Sequence, residues 1–132
     1  MIPLRKFNIL VVDDNSMDRL ITKSILQKLG LKSLQEAENG SIAAGKLETA
    51  HEIGKPYDIV FMDWNMPSSS GLKLLQIVQK DPKLRQTKII VMTATSDPSV
   101  VEDAIENGAS DFIVKPVTIE VVKEKLDKMI WV

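Results

Sequence analysis

The chain has 132 residues, and its 17 basic and 18 acidic side chains leave a net charge of −1. This length and a hydrophobic content of 44% fit one globular domain with a single core, and the balanced charge gives no electrostatic reason to expect direct nucleic-acid binding or a membrane surface. No apolar run approaches the roughly 20 residues of a transmembrane helix, and the absence of cysteine excludes disulfides and favours a reducing cytoplasm.

The first part of the chain alternates between strand and helix patterns. A continuous apolar run at residues 9–12 predicts a strand. Apolar residues from Met17 to Leu29 lie on one face of a predicted helix, which Asn15 or Ser16 can cap and Gly30 can end. A weaker and more polar run at residues 33–37 suits a strand at the edge of a sheet, and a helix is predicted from residue 40 to about residue 50.

The second part repeats this alternation. Apolar runs at residues 59–62, 89–92 and 112–114 are typical of strands that are buried on both faces of a parallel sheet. Gly71 opens a helix after the first run, Asp97 and Pro98 start another after the second, and Thr118 can cap the last. Five strand–helix units predict a flavodoxin-like (βα)5 α/β sandwich, with three layers and a central parallel five-stranded sheet in the order 2-1-3-4-5.

Chemically active side chains follow these strands. Asp13 and Asp14 follow the first strand, and Asp63, Thr93 and Lys115 follow the last three. Because the carboxyl ends of parallel strands share one edge of the sheet, we expect these side chains to converge. Carboxylates about 4 Å apart repel each other by roughly 4 kcal/mol per pair at an effective dielectric of 20. Such a cluster favours an oxygen-preferring cation such as Mg²⁺, with Asp63 as the nucleophile in phosphoryl transfer.

Four segments resemble the signature of response-regulator receiver domains, especially chemotaxis regulators of the CheY type. They are residues 11–15 (VVDDN), 63–67 (DWNMP), 92–94 (MTA) and 108–116 (GASDFIVKP). The resemblance covers essentially the whole chain and implies that residues 1–132 form a single receiver domain. It implies that Asp63 is the phosphoacceptor. It also implies a Mg²⁺ site formed by the carboxylates of Asp14 and Asp63, the backbone carbonyl of Asn65, and Asp13 acting mostly through water.

The resemblance also implies how the signal is transmitted. Thr93 would close on the phosphoryl group and Lys115 would bind it, next to a cis Lys115–Pro116 peptide bond. Phe112 matches the switch aromatic, which is thought to move inward together with the threonine. The phosphoryl group adds about −1.5 to −2 charges at pH 7. The readout would be a population shift on the face formed by the fourth helix, the fifth strand and the fifth helix.

The implied function is a phosphorylation-dependent switch of a two-component system, with self-catalysed phosphotransfer and autodephosphorylation, and not an enzyme with an external substrate. A histidine kinase would donate the phosphoryl group, a downstream protein would be the target, and a phosphatase is a further candidate partner. A stand-alone regulator is favoured, because the chain begins just before the first strand and stops after the fifth helix. Chemotaxis or motility is the expected pathway, from the match at residues 63–67.

Three alternative functions are considered in addition to this prediction. A receiver domain cut from a longer transcriptional regulator or from a hybrid kinase would have the same sequence features. An aspartyl-phosphate phosphatase or phosphotransferase would pair the nucleophile with a second acid two residues later, but Asn65 occupies that position. A degenerate module without phosphorylation is disfavoured by the complete set of site residues.

Three features depart from the relatives. Residues 68–71 (SSSG) lack the acidic residue that many relatives have before the glycine. Phe112 replaces the usual switch tyrosine, so any partner contact through its hydroxyl is lost. Thr95 replaces an acidic residue at a position that tunes the lifetime of the phosphorylated state in this family, which predicts a different rate of autodephosphorylation.

Overall fold

A computed structural model describes residues 6–66, 70–94 and 97–130, and the predictions for Pro67 and Thr95 lie outside these ranges. Strands and helices alternate along the chain as predicted. The strands are β1 (Asn8–Val12), β2 (Ser33–Ala37), β3 (Ile59–Asp63), β4 (Lys88–Thr93) and β5 (Asp111–Val114). The helices are α1 (Ser16–Lys28), α2 (Gly40–Glu52), α3 (Ser70–Lys80), α4 (Pro98–Glu106) and α5 (Ile119–Ile130).

The five strands form one parallel sheet in the order β2-β1-β3-β4-β5. This arrangement confirms the predicted α/β class and its flavodoxin-like strand order. The polar strand β2 lies at one edge of the sheet, as its composition predicts, and β5 lies at the other. β3 lies at the centre with all five of its residues buried, which explains its continuous apolar run at residues 59–62.

Successive residues of each strand point to opposite faces of the sheet and supply two separate cores. One core joins the sheet to α2, α3 and α4 through buried residues that include Leu47, Leu75 and Ala104. The other joins it to α1 and α5 through Leu26, Val122 and Leu126. The three layers therefore hold the sheet rigidly, and the carboxyl ends of its strands provide a fixed frame for the loops beyond them.

The helix ends follow the predicted capping chemistry. The side chain of Asn15 accepts a hydrogen bond from the backbone N–H of Asp18 at 3.0 Å and so caps α1. Asp97 caps α4, and Pro98 occupies its first turn. Gly30 and Gly108 follow α1 and α4 with φ angles of 94° and 105°, which glycine adopts without steric cost.

Only part of the predicted apolar stripe on α1 reaches the core. Ile25 and Leu29 pack against the core, whereas Met17 is 63% exposed and Leu20 is 56% exposed. The first turns of the helix therefore leave an apolar surface beside the carboxyl edge of the sheet. Within the part of the chain that the structure covers, no helix is long and apolar enough to cross a membrane.

Candidate functional site

Three carboxylates meet at the carboxyl edge of the sheet, as the sequence predicts. Asp13 and Asp14 directly follow β1, and Asp63 is the last residue of the neighbouring strand β3. One oxygen atom from each of these carboxylates lies within 4.8 Å of the other two. Asp13 and Asp63 are buried, whereas Asp14 is exposed. The cluster is therefore anchored in the protein interior and open to solvent on one side.

The backbone holds the two buried carboxylates in the same way. The N–H of Asn15 donates to Asp13 Oδ1 at 2.9 Å, and the N–H of Asn65 donates to Asp63 Oδ1 at 3.0 Å. In both cases the donor lies two residues after the acid, which is the arrangement of an Asx turn. Arg19 also donates to the backbone carbonyl of Asp13 at 2.6 Å. These bonds fix the orientation of both carboxylates at the ends of their strands.

Asp13 is a buried carboxylate whose charge is poorly compensated. Burial raises the pKa of Asp13 to about 6, and the nearby charges of Asp63 and Asp18 act in the same direction. The Asn15 N–H and the Lys115 ammonium oppose this rise. Among the described residues, Asp13 Oδ2 is a buried side-chain oxygen that accepts no hydrogen bond. A buried polar atom without a partner is costly, so this oxygen favours a cation beside it.

This chemistry fits a hard divalent cation. The clustered ligand atoms are all carboxylate oxygens, which Mg²⁺ prefers over nitrogen or sulfur ligands. One ligand side chain is exposed, which allows the cation to keep water molecules and to share oxygens with a phosphoryl group. The residues present therefore suit the predicted Mg²⁺ site.

Lys115 provides the positive charge of the site. Its Nζ lies 3.5 Å from Asp63 Oδ1, 3.6 Å from Asp13 Oδ2 and 3.4 Å from Asp18 Oδ2. Burial alone would lower the pKa of Lys115, but these three carboxylates outweigh it and raise the pKa. The ammonium group therefore remains charged at neutral pH. The Lys115–Pro116 peptide bond is cis, which confirms that prediction.

Asp18 is the site residue that the sequence reasoning missed. It lies in the first turn of α1, and its carboxylate is the hydrogen-bond acceptor of the Lys115 ammonium. Its position five residues after Asp13, in a helix that starts at the carboxyl edge of the sheet, was the available signal. That signal was weak, because acidic residues in a first helical turn are common for reasons of helix stability alone.

Thr93 and Asn65 form the other side of the site. Thr93 ends β4 and is buried, and its hydroxyl donates to Asn65 Oδ1 at 3.4 Å. The backbone N–H of Ala94 donates to the same oxygen at 3.1 Å. The Asn65 side chain thus ties the loop after β3 to the end of β4. The predicted residues Thr93, Asn65 and Lys115 are all brought to the carboxylate cluster or to its border.

Phe112 lies apart from the carboxylates. It is half-buried in β5, where it is paired with Val91 of β4 and packs against the core below α2, α3 and α4. Lys125 of α5 places its ammonium 5.1 Å from the centre of the Phe112 ring and 3.0 Å from Asp111 Oδ1. Phe112 therefore lies beside β4 and not among the carboxylates of the site.

A cleft of about 370 Å³ leads from the surface to Asp13 and Lys115. Asp18 and the apolar side chain of Ile21 form part of its α1 wall, and Pro116 and Val117 line the opposite side. The Asp18 carboxylate and the Lys115 ammonium therefore face the same cleft.

Comparisons with known proteins agree with this geometry. Residues 9–127 match the profile of the response regulator receiver domain. The chain is 36% identical over 125 residues to the chemotaxis protein CheY-3 of Vibrio cholerae, an alignment that covers 95% of this chain and 92% of that protein. Its fold is similar to the chemotaxis response regulator CheY4 of Vibrio cholerae, with a TM-score of 0.81, 25% identity and coverage of 94% and 98% of the two chains.

A second similar structure contains ligands. It is the CheX–CheY–BeF₃–Mg²⁺ complex from Borrelia burgdorferi, to which this chain is similar with a TM-score of 0.82 and 27% identity, over 93% of this chain and 88% of that chain.

Proposed function

This chain belongs to the response-regulator receiver domain family, and on that basis we propose that Asp63 accepts a phosphoryl group and that residues 1–132 act as one phosphorylation-dependent switch. The observation that carries this proposal is the position of the Lys115 ammonium, 3.5 Å from Asp63 Oδ1, beside the cluster of three carboxylates. A fixed nucleophile next to a fixed cation is what phosphoryl transfer requires from a protein, because that reaction depends on positioning and charge neutralisation.

In this proposal, Asp14 and Asp63 would hold Mg²⁺ through their carboxylates and Asn65 through its backbone carbonyl, with Asp13 acting mostly through water. The ion would neutralise charge on the transferred group. An oxygen of Asp63 attacks phosphorus, and the bond between phosphorus and the histidine nitrogen of the donor breaks. The electron pair of that bond leaves with the imidazole. Hydrolysis of the acyl phosphate later returns the carboxylate and inorganic phosphate.

Residues of the chain on two sides of Asp63 would position the phosphoryl group. The N–H of Asn65 keeps the Asp63 carboxylate in place, and Lys115 can turn from carboxylate oxygens to a phosphoryl oxygen. Thr93 makes a long hydroxyl bond to Asn65, 3.4 Å, which it can exchange for a shorter bond to a phosphoryl oxygen. Since Thr93 ends β4, this exchange would pull on the strand that pairs with β5 and Phe112.

The proposal includes three kinds of partner. A histidine kinase donates the phosphoryl group, and a downstream target binds the face formed by α4, β5 and α5. The CheX–CheY complex supports a protein of the CheX kind as a further partner, in the role that we predicted for a phosphatase. Similarity to chemotaxis proteins over most of the chain supports a stand-alone role in chemotaxis or motility. The cytoplasmic location stays a prediction from the cysteine-free composition.

Intact mass measurement tests the phosphoacceptor. We expect one phosphoryl adduct after incubation with acetyl phosphate and Mg²⁺, little adduct with EDTA, and none in Asp63→Asn under either condition. Asp103→Asn is the matched control, because it makes the same change at an exposed position on α4 and should take up the phosphoryl group like the wild type. An equal adduct in Asp63→Asn, or none in the folded wild type with Mg²⁺, would overturn the proposal.

A further inference from the structure

Asp18 adds a fourth carboxylate to a site that has one ammonium group. Its Oδ2 atom lies 3.4 Å from Lys115 Nζ, as close as the oxygens of Asp63 and Asp13. Unlike those two residues, Asp18 has a side chain that is 44% exposed, and it lines the cleft that leads to the site. It therefore contacts the lysine that must bind the phosphoryl oxygens, and the same Lys115 Nζ lies 3.5 Å from Asp63 Oδ1.

We propose that Asp18 is a positioning and selectivity residue for phosphoryl transfer, which holds Lys115 toward α1 in the resting site and repels small, highly charged phosphodonors at the cleft. This inference rests on the proposed phosphoacceptor function of Asp63. It adds to that function a reason why the site prefers some donors over others.

Competition for Lys115 is the first part of the effect. The ammonium donates its hydrogen bond to Asp18 and lies within 3.6 Å of Asp13 and Asp63. To bind a phosphoryl oxygen, the ammonium must break one or more of these contacts with carboxylate oxygens. Asp18 is the partner that does not belong to the proposed cation site, so its removal frees Lys115 without removing a proposed Mg²⁺ ligand.

Charge repulsion is the second part. A phosphodonor is an anion, and the carboxylate of Asp18 lies near the proposed point of reaction, because Asp18 Oδ2 and Asp63 Oδ1 lie 3.4 Å and 3.5 Å from the same Lys115 Nζ. Removing one charge at a distance of about 6 Å, at a dielectric between those of protein and water, should change the rate roughly threefold to tenfold. The repulsion should grow with the charge of the donor. It should also fall as salt is added, because a half-exposed carboxylate is screened.

A donor carried by a protein would be affected less. Its approach is helped by contacts outside the cleft, and these can offset the local repulsion. Asp18 would thus lower phosphorylation by free metabolic phosphates relative to phosphorylation by a docked partner.

The test compares Asp18→Asn, Asp18→Glu and the control Glu48→Gln, which removes one negative charge from the exposed face of α2. Second-order rates of adduct formation are measured with acetyl phosphate and with phosphoramidate, which carries less negative charge at neutral pH. We expect Asp18→Asn to react with acetyl phosphate roughly fivefold faster than the wild type at low salt. Its increase in rate with phosphoramidate should be smaller. The increase in rate of Asp18→Asn should be smaller at high salt. In Asp18→Glu and Glu48→Gln, the ratio of the rate with acetyl phosphate to the rate with phosphoramidate should equal that of the wild type.

A second readout does not depend on phosphoryl transfer. Beryllofluoride binds to an aspartate as a phosphoryl mimic, and its affinity can be followed through the fluorescence of Trp64, which adjoins Asp63. Asp18→Asn should bind it several-fold more tightly than the wild type, again with a dependence on salt.

The outcomes separate the two levels of the proposal. If the wild type is phosphorylated but Asp18→Asn is unchanged, slower, or faster by the same factor for both donors at all salt concentrations, the role of Asp18 is wrong and the phosphoacceptor function stands. If Glu48→Gln shows the same gain, the effect is one of net charge, and the specific role is also wrong. If neither the wild type nor the variants take up a phosphoryl group or beryllofluoride, both levels fail together.

Discussion

Among single residues, Asp13 carries a negative charge that is energetically unfavourable in the folded chain. The carboxylate is fully buried, and Asp13 Oδ2 accepts no hydrogen bond from the described residues. Burial, followed by the charges of Asp63 and Asp18, raises its pKa to about 6. The folded chain therefore binds this proton more tightly than the unfolded chain does. As the pH rises through the interval between the ordinary aspartate pKa and about 6, the folded state loses stability.

We expect Asp13→Asn to stabilise the chain by about 1 to 3 kcal/mol at about pH 7.5 in the absence of Mg²⁺, because the amide carries no charge to desolvate. The difference from the wild type should vanish near about pH 4, where the Asp13 carboxyl is protonated. Urea unfolding in EDTA at both pH values measures this difference in the free energy of unfolding. Mg²⁺ should reduce or reverse the difference, since a bound cation favours the charged carboxylate.

The exposed substitution Asp103→Asn serves as the control and should change the free energy of unfolding by less than about 0.5 kcal/mol. A destabilised Asp13→Asn at neutral pH without Mg²⁺ would contradict the assignment of a poorly compensated charge to Asp13.

The residues that meet at the site were predictable where they follow directly from strand ends. Asp13, Asp14, Asp63, Thr93 and Lys115 each end or follow a strand, so parallel pairing alone brings them to one edge. Asp18 was not predictable by this rule. Its contact with Lys115 depends on how α1 lies beside the loop after β5, and the sequence carries no direct signal for that packing.

At the scale of elements, the strands were the most predictable parts of the chain. The continuous apolar runs of β1, β3 and β4 reflect burial on both faces, and the polar pattern of β2 reflects its edge position. The burial of helix faces was predicted less well. The apolar residues at the start of α1 belong to a helical stripe, but Met17, Leu20 and Ile21 remain exposed, because only the later turns of α1 pack on the sheet core.

The contact between α5 and β5 depends on Lys125. Its ammonium pairs with Asp111 at 3.0 Å and lies over the Phe112 ring, and its side chain is only 14% exposed. An ion pair that is shielded from solvent and has an added cation–π contact contributes more to the stability of the fold than a solvent-exposed ion pair. Lys125 therefore links the last helix to the strand that carries the predicted switch aromatic.

We expect Lys125→Ala to lower the free energy of unfolding by about 1 to 2 kcal/mol, because it removes both contacts and leaves Asp111 without this partner. Lys123→Ala is the matched control. Lys123 pairs with Asp127 on the same helix, but its side chain is 64% exposed, so its loss should cost less than about 0.5 kcal/mol. Urea unfolding of both variants gives the comparison, and equal effects would show that Lys125 has no special role in holding α5.

At the scale of the whole molecule, the sheet connects the site to a distant surface. Asp63 ends the central strand β3, Thr93 ends its neighbour β4, and β4 pairs with β5 through Val91 and Phe112. The two cores on either side make these strands a rigid unit. If phosphorylation changes the hydrogen bonds of Thr93, we therefore expect the structure to adjust at the edge strand β5, and in α4 and α5 beside it, more than at the centre of the sheet.

In the proposed switch, a phosphoryl group on Asp63 changes the face formed by α4, β5 and α5. Hydrogen–deuterium exchange tests it most directly, because that method reports local opening along the whole chain. With acetyl phosphate and Mg²⁺, we expect altered exchange in residues 93–126 of the wild type and none in Asp63→Asn. Unchanged exchange on that face in a chain shown by mass to be phosphorylated would contradict the switch, and so would the same change in Asp63→Asn.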